Sequence, residues 1–169
     1  KFNNDFGIVD FFKVPEPLIQ KEFSRIMSLK DGSKKMSKSD PSDLSRINLT
    51  DTKDEIVNKI KKAKTDNLPL PSDDKRLNQR PEVENLLGIY SSLNDQKLSD
   101  SINEFGGKNF SEFKQKLSDL VVEKISPISD EIIKLKKDNN FIDKILEEGA
   151  EKADKITLKK VKEMKKIVG

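Results

Sequence analysis

The 169-residue sequence contains no cysteine and no histidine. Without cysteine, it cannot form a disulfide, use a thiolate nucleophile or hold zinc through sulfur, which fits a reducing compartment. Without histidine, it has no imidazole for acid–base catalysis or metal binding. Any catalytic groups in these residues must therefore be of other kinds.

Long apolar runs are also missing. No stretch approaches the roughly 18 residues of a membrane-spanning helix, and no apolar leader is present, so we expect a soluble protein with no membrane partner. Charged residues make up 37% of the chain and apolar residues 33%, which predicts a modest core. The net charge of +3 is nearly balanced, so any basic surface for nucleic acid must be local.

One basic stretch, Arg25 to Asp40, reads RIMSLKDGSKKMSKSD. Its lysines alternate with serines and Gly32, and no apolar periodicity continues past Leu29, so we predict a mobile surface loop over 32–40. Small residues allow close approach to a ligand, and ammonium groups attract phosphate oxygens. By composition alone, such a run is more often a solvated loop or a weak basic patch.

The residues before this loop alternate in polarity over 24–29, which predicts a short buried strand. Loops at the carboxyl ends of parallel strands are where open α/β sheets bind nucleotides.

Helices are predicted for most of the remaining chain. Thr52 and Glu55 form a capping-box pattern. In the helix that follows, apolar residues share one face, and Lys59, Lys61, Lys62 and Lys64 form a side that is either solvated or in contact with RNA backbone. A crossing loop over 66–80 precedes Pro81, which suits the first position of a helix.

Five helical stretches are predicted from Pro81 onwards. The first two run through Tyr90 and to Gly106, the third is capped by Ser111 and kinked or broken at Pro127, and the fourth opens at Asn140 and closes near Gly149. A last stripe runs from Ala150 to Val168. Amphipathic stripes of this kind predict the core of a helical bundle.

Residues Lys35 to Ser39 spell KMSKS, and with RIMSL before and SDP after they closely resemble a signature of the tryptophanyl-tRNA synthetases, a class I aminoacyl-tRNA synthetase family. The segment EEGAEKADKI, Glu147 to Ile156, resembles the carboxyl-terminal signature of the same family. The chain begins at Lys1 rather than methionine and lacks the family's other nucleotide signature and tryptophan pocket, so we expect a carboxyl-terminal fragment that is inactive alone.

The resemblance implies a mainly α chain at the carboxyl-terminal edge of a Rossmann-like domain. Residues 1–50 would end that catalytic domain and include the KMSKS loop (33–40). Residues 51–80 would connect it to a helical anticodon-binding bundle over 81–169.

The resemblance also implies ATP-dependent activation of tryptophan and its transfer to tRNA(Trp). Lys35 and Lys38 would be catalytic, and the nucleotide would contact Ile26, Lys35, Met36, Ser37, Lys38 and Ser39. Mg²⁺ would bind through the ATP phosphates, with no protein metal ligand, and Asp40 would shape a turn.

The full-length protein is expected to be a homodimer, in a bacterial cytoplasm or an organelle matrix. Two alternatives remain open. One is a tyrosyl-tRNA synthetase-like ligase, which shares KMSKS and a helical carboxyl-terminal region. The other is a non-catalytic helical tRNA-binding module.

Overall fold

The computed structural model describes residues 1–19 and 23–169 and is mostly helical, which confirms the prediction of a mainly α chain. The α-helices are α1 (Phe2–Asp5), α2 (Lys53–Lys61), α3 (Pro81–Leu93), α4 (Leu98–Phe105), α5 (Phe110–Leu135) and α6 (Asn139–Val168). Short 3-10 helices cover Asp43–Ser45 and Leu77–Gln79.

The chain forms two compact units. One combines Lys1–Ile19 with Leu135–Gly169, and the other is Gln20–Lys134. The limits of the three functional regions predicted from the sequence stay predictions.

The apolar core lies in the second unit, between Leu29 and Val121. At its centre three aromatic rings pack edge to face, with 4.9 Å between the ring centres of Tyr90 and Phe105 and 4.8 Å between those of Phe105 and Phe113. Aromatic pairs favour this edge-to-face arrangement. Apolar residues of α2, α3, α4 and α5 surround the trio, so the predicted stripes of these helices do form a core.

Local signals place the starts of α2 and α3 correctly. The Thr52 side chain accepts a hydrogen bond from the Glu55 amide, and the Glu55 carboxylate accepts one from the Thr52 amide at 2.7 Å. Pro81 is the first residue of α3. Both features match their predicted roles.

Helix α5 differs from its prediction at its start. Its amino-terminal cap is Asn109, whose Oδ1 accepts hydrogen bonds from the Glu112 amide and the Ser111 hydroxyl, so Ser111 is not the cap. The helix continues through Pro127 to Leu135, so of the two predicted effects of this proline, a kink or a break, the break does not occur.

In the first unit, Phe2, Phe6, Phe11 and Phe12 form an aromatic cluster, and the Lys160 ammonium lies 3.7 Å from the centre of the Phe11 ring. Helix α6 is continuous, so the predicted break near Gly149 is wrong, as is the start at Asn140, because Asp138 caps the helix. No residue of α6 is buried, which contradicts the prediction that its apolar stripe is core.

Candidate functional site

The segment 24–29 is not a strand, and this corrects the prediction. In the described residues the only β-type backbone pairing is one isolated antiparallel bridge, between Met27 and Lys35. The other edge of Met27 meets the buried side chain of Asn85 on α3, which accepts from the Met27 amide and donates to its carbonyl, both at 2.9 Å. One side-chain amide thus supplies the two hydrogen bonds that a neighbouring strand would otherwise give.

A narrow hairpin brings the two ends of the basic stretch together. The Ser28 amide donates to the Lys34 carbonyl at 2.8 Å, and the Met36 amide donates to the Ile26 carbonyl at 3.0 Å. Ile26 and Met36, both half-buried, therefore lie side by side. The structure brings together these two predicted site residues, which are ten positions apart in the sequence.

Gly32, the predicted start of the mobile loop, is buried. A methyl group there would lie 2.5 Å from the Glu82 amide nitrogen, so only glycine allows this turn to pack against the start of α3. The turn is also held by Asp31, whose Oδ1 accepts from the Ser33 hydroxyl at 2.6 Å and from its amide at 3.1 Å. The prediction of a surface loop is therefore wrong at Gly32.

Hydrogen bonds from Ser33 and the nearby Lys34 lower the pKa of Asp31 from 3.8 to about 2. Lys34 forms an ion pair with Asp31 at 3.1 Å.

The tip of the KMSKS loop is exposed and carries Lys35, Ser37, Lys38 and Ser39. The hydroxyl oxygens of Ser37 and Ser39 lie 2.9 Å apart. Asp40 accepts from the Ser42 amide at 2.8 Å, which confirms its predicted role in a turn.

Beside this loop lies a cavity of about 590 Å³. Five of the six predicted site residues line it, namely Ile26, Lys35, Met36, Ser37 and Lys38, whereas Ser39 does not. The opposite wall is formed by residues 46–49, of which Arg46 and Asn48 are polar. Sequence reasoning missed these two, because a lone arginine and asparagine in an irregular segment match no motif.

Arg46 and Asn48 belong to a polar cluster of five residues that we call the Lys59 cluster: Asp43, Arg46, Asn48, Asp51 and Lys59. The Lys59 side chain is only 3% exposed, and its ammonium lies 2.6 Å from a carboxylate oxygen of Asp51 and 2.6 Å from one of Asp43. Its assignment to a solvated or RNA-contacting face of α2 is therefore wrong.

Burial alone would lower the pKa of Lys59, but the hydrogen bonds with Asp43 and Asp51 outweigh it and leave this pKa raised. The bond from Lys59 in turn lowers the pKa of Asp43. Both groups are thus held in their charged forms.

A family model described as tRNA synthetases class I (W and Y) matches residues 1–127. The chain belongs to this family of class I tRNA synthetases. The match includes the hairpin, the KMSKS loop, the cavity and the Lys59 cluster.

Relatives within the class I synthetase family carry the name tryptophan--tRNA ligase. The chain is 46% identical to the one from Mesorhizobium japonicum over an alignment 187 residues long. This alignment spans 100% of this chain and 53% of the relative. It is 47% identical to the one from Caulobacter vibrioides, covering 100% of this chain and 49% of that protein. The chain thus spans about half the length of the curated relatives it matches.

A solved class I synthetase shows the same fold. The tryptophanyl-tRNA synthetase from Mycoplasma pneumoniae superposes with a TM-score of 0.76 over 99% of this chain and 49% of that one, at 24% identity. In residues 1–19 and 23–169, no helix is both long enough and apolar enough to cross a membrane.

Proposed function

We propose that this chain is the carboxyl-terminal part of a tryptophan--tRNA ligase and that the KMSKS loop binds the triphosphate of ATP. The observation that carries the proposal is the cavity beside that loop, lined by five residues selected from the sequence alone. The high identity to tryptophan--tRNA ligases supports tryptophan over tyrosine as the amino acid.

The cavity has the chemistry that a nucleotide requires. The neighbouring side chains of Ile26 and Met36 offer an apolar surface for a flat base. Lys35 and Lys38 are exposed, so their ammonium groups are available to phosphate. The volume lies within the range of roughly 300–1,000 Å³ typical of small-molecule sites.

In the proposed first step, the tryptophan carboxylate attacks the α-phosphorus of ATP and pyrophosphate leaves. Negative charge grows on the α-phosphate oxygens and on the leaving pyrophosphate, so catalysis depends on positioned positive charge. We assign that role to Lys38, with Lys35 beside it. Ser37 and Ser39 donate hydrogen bonds to phosphate oxygens in this proposal, Ser39 from outside the cavity wall.

Mg²⁺ would enter with the nucleotide. The loop side of the cavity presents ammonium and hydroxyl groups, which suit phosphate rather than a metal ion. The nearby Asp40 carboxylate already accepts from the Ser42 amide. The proposal therefore has the metal bound through ATP phosphates, without a ligand from this chain.

In the second step, the activated acyl group passes to tRNA(Trp), which the helical region after residue 80 would bind through the anticodon. Tryptophan itself, which reacts in the first step, would be held by a part of the protein outside these residues. The enzyme is proposed to act as a homodimer in the cytoplasm of a bacterium, or in an organelle matrix if it is eukaryotic.

The test is the rate of tryptophanyl-adenylate formation in the full-length protein, measured by stopped flow. We expect Lys38→Ala to lower this rate by about 30-fold, or about 2 kcal/mol, with little change in tryptophan binding. Lys30→Ala is the matched control, because Lys30 is in the same stretch but does not line the cavity. An unchanged rate in Lys38→Ala would remove Lys38 from the mechanism.

The same protein separates the alternatives. Aminoacylation of purified tRNA(Trp) but not tRNA(Tyr) is expected, and the reverse would identify a tyrosine enzyme. A protein that binds tRNA with a steep salt dependence, yet forms no adenylate with either amino acid, would be the non-catalytic module.

A further inference from the structure

Arg46 contacts three different groups through its three side-chain nitrogens. Nη1 donates to the Asp40 carbonyl at 2.9 Å, Nη2 lies 2.9 Å from Asp43 Oδ1, and Nε donates to Asn48 Oδ1 at 3.1 Å. The Asp40 carbonyl directly follows Ser39, the last residue of the KMSKS motif. Arg46 therefore fixes the carboxyl-terminal end of the loop to the wall of the cavity.

We propose that Arg46 is a positioning residue that fixes the KMSKS loop with Lys35 and Lys38 beside the cavity. This inference rests on the proposed function of that loop. Arg46 is distinct from the lysines because three of its five N–H donors are engaged by protein oxygens, one of them the Asp40 carbonyl at the end of the loop, and we therefore assign it the part of holding the loop.

The other members of the Lys59 cluster hold the groups that Arg46 contacts in place. Lys59 bridges Asp43 and Asp51, and the Asn48 amide donates to both of these carboxylates at 3.0 Å. The two positive and two negative groups of the cluster balance. This neutral, hydrogen-bonded cluster joins the segment before α2 to Lys59 in the last turn of α2 and so gives Arg46 a rigid base.

Lysine could not replace Arg46. The planar guanidinium presents donors in three directions, and each direction is used here, whereas a lysine ammonium is a single point on a flexible stem. A lysine would keep the charge beside Asp43 but could not also hold the Asp40 carbonyl and Asn48. Charge and positioning can thus be separated experimentally.

The first experiment compares Arg46→Met and Arg46→Lys with the unmodified full-length protein. At saturating ATP, we expect Arg46→Met to form adenylate about tenfold more slowly, with the KM for tryptophan changed by less than about twofold. The rate of adenylate formation with Arg46→Lys should lie between those of Arg46→Met and the unmodified protein. Arg76→Met is the matched control, because Arg76 is exposed and lies outside the cavity and the Lys59 cluster.

The second experiment distinguishes positioning from a general structural role. If Arg46 acts through the loop lysine, Arg46→Met should change the rate by less than about twofold when Lys38 is already alanine. A tenfold loss in both backgrounds would overturn the proposal, as would no loss in either.

A third measurement does not depend on activity. In the 169-residue chain, Arg46→Met should speed amide hydrogen exchange of residues 37–42 by about tenfold and leave α3 unchanged, because the loop loses its anchor. Equal exchange in the two proteins would overturn the inference. Failure of the full-length protein to form adenylate would contradict the proposed function instead, and exchange would still decide whether Arg46 holds the loop.

Discussion

Asp31 stabilises the turn that leads into the KMSKS loop, and its acidity can be tested directly. The hydrogen bonds from Ser33, with help from Lys34, favour the ionised carboxylate and lower its pKa from 3.8 to about 2. A lowered pKa in the folded state means that this stabilisation is complete above pH 3.8 and is lost as the pH falls towards 2.

We therefore expect the carboxyl carbon of Asp31 to titrate with a midpoint near pH 2 in a carbon-13 NMR experiment, and the amide of Ser33 to shift with the same midpoint. A midpoint near 3.8 for Asp31 would show that the turn is not formed in solution.

Individual residues also show where sequence reasoning reached its limit. The family resemblance singled out six residues, and five of them line one cavity. It could not show that Gly32 serves the packing of α3 rather than the approach of a ligand, since the contact with Glu82 is distant in sequence. Nor could it identify Arg46, whose function depends on three separate partners.

Helix starts were predictable where the signal is local. The capping box of α2 and Pro81 of α3 depend on residues within one turn, and the structure has both. The strand over 24–29 was wrong because alternating polarity does not specify the partner, and here Asn85 of α3 takes the place of a neighbouring strand. The break of α6 at Gly149 was wrong because a helix tolerates an exposed glycine for about 1 kcal/mol.

Helix α2 carries Lys59, a buried lysine for which the sequence predicted a solvated or RNA-contacting face. Replacing Lys59 by methionine keeps the length of the side chain but leaves Asp51 buried without its cation. We expect the free energy of unfolding, measured by urea denaturation of this chain, to fall by about 3 kcal/mol.

Lys62→Met, on the exposed side at the end of α2, is the control and should change the free energy of unfolding by less than about 0.5 kcal/mol. Equal effects of the two substitutions would mean that the Lys59 cluster adds nothing to stability. In that case it could not act as the base of the loop.

Taken whole, the molecule concentrates its apolar core in the second unit, and the same unit carries the hairpin, the KMSKS loop and the cavity. The elements that build the core therefore also fix the site, through Asn85 on α3 and Lys59 on α2. The first unit depends instead on an aromatic cluster and on α6, whose apolar residues, such as Leu146 and Ile156, are exposed. The arrangement of this unit could not be predicted, because an amphipathic stripe does not reveal whether it is covered.

The 169-residue chain is not expected to form tryptophanyl-adenylate by itself. Its cavity supplies positive charge for phosphate, but adenylate formation also requires the amino acid to be held in line with the α-phosphorus. The chain spans about half the length of the relatives it matches, and we have proposed that tryptophan is held outside these residues. We therefore expect tryptophan-dependent exchange of radiolabelled pyrophosphate into ATP to stay at background with this chain alone, and to be clear with the full-length protein under the same conditions. Exchange above background by the isolated chain would show that these residues also position tryptophan. The proposal that tryptophan is held outside this chain would then have to be abandoned.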